Sequence, residues 1–343
     1  MTGSSLRVAA VGTGYFSQFH YQAWRRLDVN VAGICSLDLQ EAESLAQTFD
    51  GCRSFPDFEQ MLDTVQPDVV DIIVPPTGHM DFIKATMARG MPTICQKPFT
   101  RSLAEAEEAV DLARQAAVPL IVHENFRFQP WHMKIKALID AGKIGEPYQV
   151  NFRLRPGDGQ GPEAYLGRQP YFQKMTQFLV HETAIHLIDV FRFFFGEIAN
   201  VTADLTRLNP HIAGEDAGFI ILNFENGVRG LFDGNRLSDH RAEDRRRTIG
   251  DMLVEGSAGS LRLNGDGEIL FRAFGENDEH AVDYAWNNTG FAGDSVFQFQ
   301  KHVVEHLRDG ADLMNSAADY LANLRAERAV YASSETHARV ELS

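Results

Sequence analysis

Long apolar runs, a basic leader and paired cysteines are what this 343-residue sequence lacks. No stretch approaches the roughly 18 apolar residues that a spanning helix needs. Met-Thr-Gly-Ser-Ser at the start places no basic segment ahead of an apolar one. Both features give the expectation of a cytoplasmic protein with no membrane partner. The three cysteines, Cys35, Cys52 and Cys95, show no CxxC spacing, which excludes a zinc framework or a disulfide scaffold and leaves buried or spare thiols. Basic charge is also scarce, 32 Lys and Arg against 47 Asp and Glu, and a net charge of −15 repels nucleic acid. The run Arg245-Arg246-Arg247 follows Glu243 and Asp244 and reads as a solvated turn.

What the sequence does have begins at residues 6–11, an apolar strand that breaks into Gly12-Thr13-Gly14-Tyr15-Phe16-Ser17 and then a helix over 15–27. Gly12 permits a tight turn and Gly14 lets backbone approach a pyrophosphate. The helix N-terminus around Tyr15 and Phe16 then points its N–H groups at the phosphates. The third position is Ser17, not Gly or Ala, and glycines also end strands for ordinary steric reasons, so the turn alone leaves both readings open.

A second strand over 29–36 completes a βαβ unit. An acid at its end holds the ribose 2′-hydroxyl of NAD, whereas a small residue beside a basic one suits the 2′-phosphate of NADP. Here the residues are Ser36, Leu37 and Asp38. Asp38 can serve the ribose, but with Glu41 it also forms a D-x-x-E capping box for a helix over 39–49. Ser36 leaves both cofactors open; the absence of a neighbouring Lys or Arg favours NAD.

Two more strands, 69–74 and 93–96, run into Pro75-Pro76-Thr77-Gly78-His79 and Lys97-Pro98, Ser102 caps the next helix, and 120–122 is a further strand. This alternation predicts an open parallel sheet with ligands at the carboxyl ends of its strands, where Ser36, His79, Lys97, Glu124 and Asn125 stand. His79 either contacts cofactor or caps the helix after it.

The second half reads as strands over 148–154, 198–208, 219–224, 228–233, 252–255 and 260–263, joined by turns such as Glu225-Asn226-Gly227. Such a pattern predicts an antiparallel sheet, whose uncovered face invites pairing with a second copy. In a helix over 180–195, Glu182, His186 and Asp189 fall within about 60° of one another, with Ala184, Ile185, Ile188, Phe191 and Phe195 on a buried opposite stripe. His181 and His186 are five apart and about 140° around, so no metal site is expected. The segment 156–162 is rich in glycine and precedes Tyr165, Arg168, Tyr171 and Phe172. It is read either as a loop that closes over a hydroxylated ligand or as a plain solvated loop.

The glycine turn, the segment 75–79, Gln96-Lys97-Pro98, Glu124-Asn125-Phe126-Arg127-Phe128, His186-Leu187-Ile188-Asp189, Glu255-Gly256-Ser257-Ala258-Gly259 and a closing helix over 318–334 occur in an order that resembles the glucose-fructose oxidoreductase, inositol dehydrogenase and rhizopine catabolism (Gfo/Idh/MocA) family over nearly the whole chain. The family commonly has Glu where this chain has Gln96, and often Asp where it has Glu182. The resemblance implies an α/β Rossmann dinucleotide-binding domain over 1–123. It also implies an α+β domain over 124–343 with an open, largely antiparallel sheet, whose C-terminal helix packs back on the first domain. It further implies NAD (or NADP), a sugar or polyol substrate, and a homodimer or homotetramer through the C-terminal sheet.

By the same resemblance Lys97 and His186 are catalytic, the Lys97–Pro98 bond is cis, and Glu182 and Asp189 orient the imidazole or bind substrate hydroxyls. Gly12, Gly14, Tyr15, Phe16, Ser36, Asp38, Pro75, His79, Gln96, Lys97 and Asn125 would serve the cofactor. Arg127, Arg155, Tyr165, Phe172 and His181 would join Lys97, Glu182 and His186 at substrate. An imidazole near its ordinary pKa of about 6.5 suits a general base, and an ammonium can stabilise a developing alkoxide. Two other readings stand beside the dehydrogenase: a catalytically silent sensor of sugar or nucleotide, and an NAD-using hydrolase or lyase that oxidises its substrate only transiently.

Overall fold

The computed structural model describes residues 5–342. The chain divides into two compact units, Met1–Asn125 with Asp294–Leu321, and Phe126–Gly293 with Ala322–Ser343. A single cut at residue 123 does not reproduce this division, because Asp294–Leu321 belongs with the first unit.

In the first unit, β1 (Leu6–Val11), β2 (Val29–Cys35), β3 (Arg53–Phe55), β4 (Val69–Ile72), β5 (Thr93–Gln96) and β6 (Leu120–His123) form a parallel sheet in the order β3-β2-β1-β4-β5-β6. Its helices are α1 (Ser17–Arg26), α2 (Leu39–Ala46), α3 (Phe58–Val65), α4 (His79–Met87) and α5 (Leu103–Ala116). Val8, Ala9 and Ala10 in the central strand are fully buried, as covered parallel strands are.

The sequence reading passed over β3 and α3. A three-residue strand carries no periodicity, but α3 has a legible start, since the Asp57 side chain accepts the Gln60 N–H at 2.7 Å.

The second unit holds α6 (Pro130–Asp140), β7 (Pro147–Leu154), α7 (Ile185–Phe195), β8 (Ile198–Thr206), β9 (Ala217–Phe224), β10 (Arg229–Asn235), β11 (Gly250–Gly256), β12 (Gly259–Leu263), β13 (Ile269–Ala273), β14 (His280–Ala281) and β15 (Val340–Glu341). The described strands form one sheet in the order β14-β13-β12-β11-β7-β10-β9-β8-β15, antiparallel except where β10 runs parallel to β7. Along β9, Ile220, Leu222 and Phe224 face the core while Phe219 and Ile221 face outward, the period-two alternation of a half-covered sheet.

Residue 195 closes α7 as expected, but the helix is buried all round except at Phe193 rather than along one stripe. Helix α8 (Ser295–Asp309) returns to the first unit and α9 (Ala317–Thr336) closes the chain. In α8, Val296, Phe299, Gln300, Val303 and Val304 make the buried stripe that a 3.6-residue period produces. Among the described residues no helix is long and apolar enough to cross a membrane.

Candidate active site

The glycine turn has the shape of a phosphate cradle. Gly12 has φ +113°, and a Cβ there would stand 2.3 Å from the Ile73 carbonyl oxygen, so the position admits glycine alone. A Cβ on Gly14 would meet nothing within 4 Å, which leaves open space over the turn. Ser17 takes the third glycine's place without loss: it is 4% exposed, and its hydroxyl donates to the Gly14 carbonyl at 2.7 Å. A glycine turn open above Gly14 and running into a helix start fits the pyrophosphate of a dinucleotide.

Tyr15 is exposed, and Phe16 lies edge-on to His20 at 5.8 Å. At the end of β2, the Ser36 and Thr13 hydroxyl oxygens are 2.8 Å apart and the Thr13 hydroxyl donates to Glu41 at 2.7 Å. Asp38 caps α2 by accepting the Glu41 N–H at 3.1 Å. Only half of the expected capping box is made, because the Glu41 carboxylate turns to Thr13.

Two expected cofactor contacts, His79 and Asn125, are buried in contacts within the protein. His79 is fully buried with its ring nitrogens 2.9 Å from the Phe99 carbonyl and 2.8 Å from the Val74 carbonyl; the one N–H of the neutral ring donates to one of the two, and the side chain neither caps α4 nor faces open space. Burial holds its pKa below the ordinary imidazole value. Asn125 is 3% exposed and donates to Ser295 Oγ at 2.9 Å, which ties α8 to the sheet. Pro75, by contrast, is exposed where a short helical turn begins.

Lys97 follows β5 and its bond to Pro98 is cis. The Lys97 N–H donates to Gln96 Oε1 at 2.7 Å. Because a backbone N–H is an obligate donor, this bond fixes the amide the other way round as well: Gln96 Nε2 donates to His20 Nε2 at 2.9 Å, and His20 Nδ1–H donates to Asp71 at 2.9 Å. Trp24 Nε1 donates to the same Asp71 oxygen at 2.7 Å. Gln96 is thus a buried link behind Lys97, with Asp71 as the charged anchor. A carboxylate at position 96 could not donate to a neutral His20 in this way.

In the second unit the approach to His186 is not a plain α-helix. Leu179–Ala184 is a π-helical turn, and its start is held by Glu215, whose Oε1 accepts the Phe178 and Val180 N–H groups at 3.0 and 3.1 Å and the Tyr331 hydroxyl at 2.7 Å. His186 is 4% exposed and stacks face to face on Phe126 at 4.0 Å and 7°, which fixes the plane of its ring. Glu182 is half-buried within the π turn, so the angle computed at 100° per residue does not carry over to it.

Asp189 is fully buried. It binds Arg127 through two hydrogen bonds of 2.7 Å and accepts from Asn323 at 2.6 Å; the Asn323 carbonyl in turn accepts from Arg192 at 2.9 Å. The pair of Arg127 and Asp189 anchors α7 to the turn that carries Arg127. Arg155 likewise pairs with Asp233 at 2.7 Å on the sheet.

Tyr165 and Phe172 are buried with Phe178 and Ile212 around the Arg236 guanidinium. Arg236 holds Asp158 at 2.7 Å, and Asn209 donates to the Gly159 and Gly161 carbonyls, so the glycine-rich segment 156–162 is stitched down. His181, 27% exposed at its side chain, donates its Nδ1–H to Glu327 at 2.6 Å. Burial pushes the Cys35 and Cys52 thiols up to about 11 and that of Cys95 well above its ordinary value, which removes a thiolate nucleophile.

Residues that the sequence reading missed are His20, Asp71, Glu215 and Tyr331. Each acts across long sequence separations, and no local pattern marks it.

The model of an oxidoreductase family with an NAD-binding Rossmann fold matches residues 6–124, and that of the GFO/IDH/MocA C-terminal domain matches residues 132–262. A D-apiose dehydrogenase of Paraburkholderia graminis is 33% identical over 97% of this chain and 89% of its own length. Another of Rhizobium rhizogenes is 30% identical over 100% of this chain and 99% of its own. Among solved structures, an oxidoreductase from Agrobacterium radiobacter in complex with NAD+, L-tartaric acid and magnesium superposes with TM-score 0.88 at 28% identity, covering 98% of each chain. With the phosphate cradle, the parallel sheet and the mixed second sheet in place, the chain belongs to the Gfo/Idh/MocA family of NAD-binding oxidoreductases.

Proposed function

We propose that this protein is an NAD-dependent dehydrogenase of a sugar or polyol hydroxyl, with an aldose such as D-apiose, oxidised to its lactone, as the leading substrate. The observation that carries this reading is the whole-length likeness to two D-apiose dehydrogenases at 33% and 30% identity. NAD supplies the hydride acceptor when bound. The chain's own residues then handle the proton and the charge on oxygen. Lys97, at the cis turn after β5, donates a hydrogen bond to the reacting oxygen and stabilises its developing negative charge. His186, held flat on Phe126, takes the hydroxyl proton, a role worth on the order of 100- to 10,000-fold in rate. Glu182, half-buried one turn before His186, binds a neighbouring hydroxyl.

We also infer a homo-oligomer through the outward face of the second sheet, where Phe219 and Ile221 are 55% and 43% exposed in mid-strand. The three free thiols fit a reducing, cytoplasmic compartment.

The test is a 340 nm absorbance screen of aldoses and polyols with NAD at mildly alkaline pH. Steady NADH formation is expected with at least one sugar, and Lys97→Ala and His186→Ala should each lower kcat by at least about 100-fold while NAD binding persists. Near-native rates in either variant would sink the mechanism. Product lacking a leaving group, with no net NADH, would identify a transient-oxidation hydrolase or lyase instead.

A further inference from the structure

The residue that reads the adenosine ribose in NAD-binding folds is an acid at the end of the second strand, and here that position is Ser36. A carboxylate nonetheless reaches the same place. Glu41 lies in the first turn of α2, held there by its N–H bond to Asp38, and its Oε2 accepts the Thr13 hydroxyl at 2.7 Å. Thr13 belongs to the glycine turn, so the carboxylate bridges the two segments that flank a bound ribose.

The directions of the hydrogen bonds follow from the chemistry. Thr13 has one hydroxyl proton, and the carboxylate can only accept, so that proton goes to Glu41. The 2.8 Å contact between Thr13 and Ser36 must then use the Ser36 proton, while Ser36 Oγ accepts the Asp38 N–H at 3.2 Å. Both hydroxyl protons are consumed. What the cluster presents outward is the exposed carboxylate of Glu41, with Oε1 outside these bonds. A ribose 2′-hydroxyl can donate to that oxygen, whereas a 2′-phosphate brings two further negative charges and finds no proton to accept.

We propose that Glu41, aimed by Thr13, is the residue that selects NAD over NADP in this chain, standing in for the missing acid at position 36. The inference rests on NAD binding by the fold and not on any sugar being the substrate, because binding is measured without substrate.

The experiment is calorimetric titration of NAD+ and of NADP+ into the full-length protein and into Glu41→Gln, with Glu43→Gln, an exposed acid on the same helix, as the control for net charge. The wild-type protein should bind NAD+ at least about tenfold more tightly than NADP+, and Glu41→Gln should shrink that ratio severalfold, chiefly by tightening NADP+, while Glu43→Gln leaves it unchanged. The wild-type preference should also narrow as salt is raised. Equal wild-type affinities, an unchanged ratio in Glu41→Gln, or an equal shift in Glu43→Gln would each overturn the proposal. Melting curves of the three proteins confirm that each is folded, and Glu41→Ala gives a second removal of the charge.

Discussion

His132 is 2% exposed, and its Nδ1–H donates to the Phe126 carbonyl at 2.8 Å. Burial pushes its pKa down to about 4. In the unfolded chain it titrates near 6.5, so between about pH 4 and 6.5 the unfolded state binds the extra proton. Its contribution is complete above pH 6.5 and is lost at about 1.4 kcal/mol per pH unit as the pH falls towards 4. Denaturant unfolding across this window should therefore show a shallower pH slope in His132→Gln than in the wild-type protein, whatever the variant's stability at neutral pH. An identical slope would mean that His132 does not titrate between the two states.

At this scale the sequence disclosed chemistry better than partnership. Gly12, Gly14, Lys97 and His186 could be singled out because motif spacing names them. That Asp189 pairs with Arg127, and Arg155 with Asp233, depends on contacts 62 and 78 residues apart in sequence, which no local pattern encodes.

The π turn Leu179–Ala184 is the element on which the geometry of His186 depends. Its first N–H groups have no partner within the helix, as at any helix start, and Glu215 accepts two of them. Glu215→Ala would orphan the Phe178 and Val180 N–H groups and the Tyr331 hydroxyl, at a cost of about 1–3 kcal/mol. Thermal unfolding should register that loss. If the turn positions His186, kcat should fall with it while NAD affinity stays, since Glu215 lies in the second unit and the cradle in the first. A stability loss with unchanged kcat would confine Glu215 to a structural role.

Periodicity explains why this element was misread. The first turn of this segment does not keep a 3.6-residue period, and Glu215, which holds its start, lies far off in sequence on the approach to β9. Strands with clear alternation, such as β9, were placed within two residues; β13, β14 and β15 are short or weakly alternating and gave no signal.

For the whole molecule, the proposed oligomer is the level at which the outward face of the second sheet can be tested. On that face Ile221 stands opposite Leu231 and Thr202, and Phe219 opposite Asp233 and Asp204, an apolar centre with a charged edge where Asp233 pairs with Arg155. Ile221→Glu should shift the protein to a smaller mass in light scattering coupled to size exclusion, without lowering its unfolding free energy by more than about 0.5 kcal/mol, as befits a solvent-facing position. An unchanged mass would place the contact between copies elsewhere.

The discontinuity of the first unit has a consequence for synthesis. The edge strand β6 is covered by a segment that leaves the ribosome nearly 200 residues later: the Val122 N–H donates to the Asn315 carbonyl at 3.0 Å and Ser316 bridges Ile121. Arg26 of α1 waits longer still, 268 residues, for Asp294, which it grips at 2.6 and 2.7 Å. The nucleotide-binding unit therefore cannot close during translation in the order its strands emerge. It must stay open, with a bare strand edge and the apolar flank of α1 uncovered, until nearly the entire polypeptide has been made. A chain terminated early would carry the whole glycine cradle and still be prone to pair that edge with its neighbours.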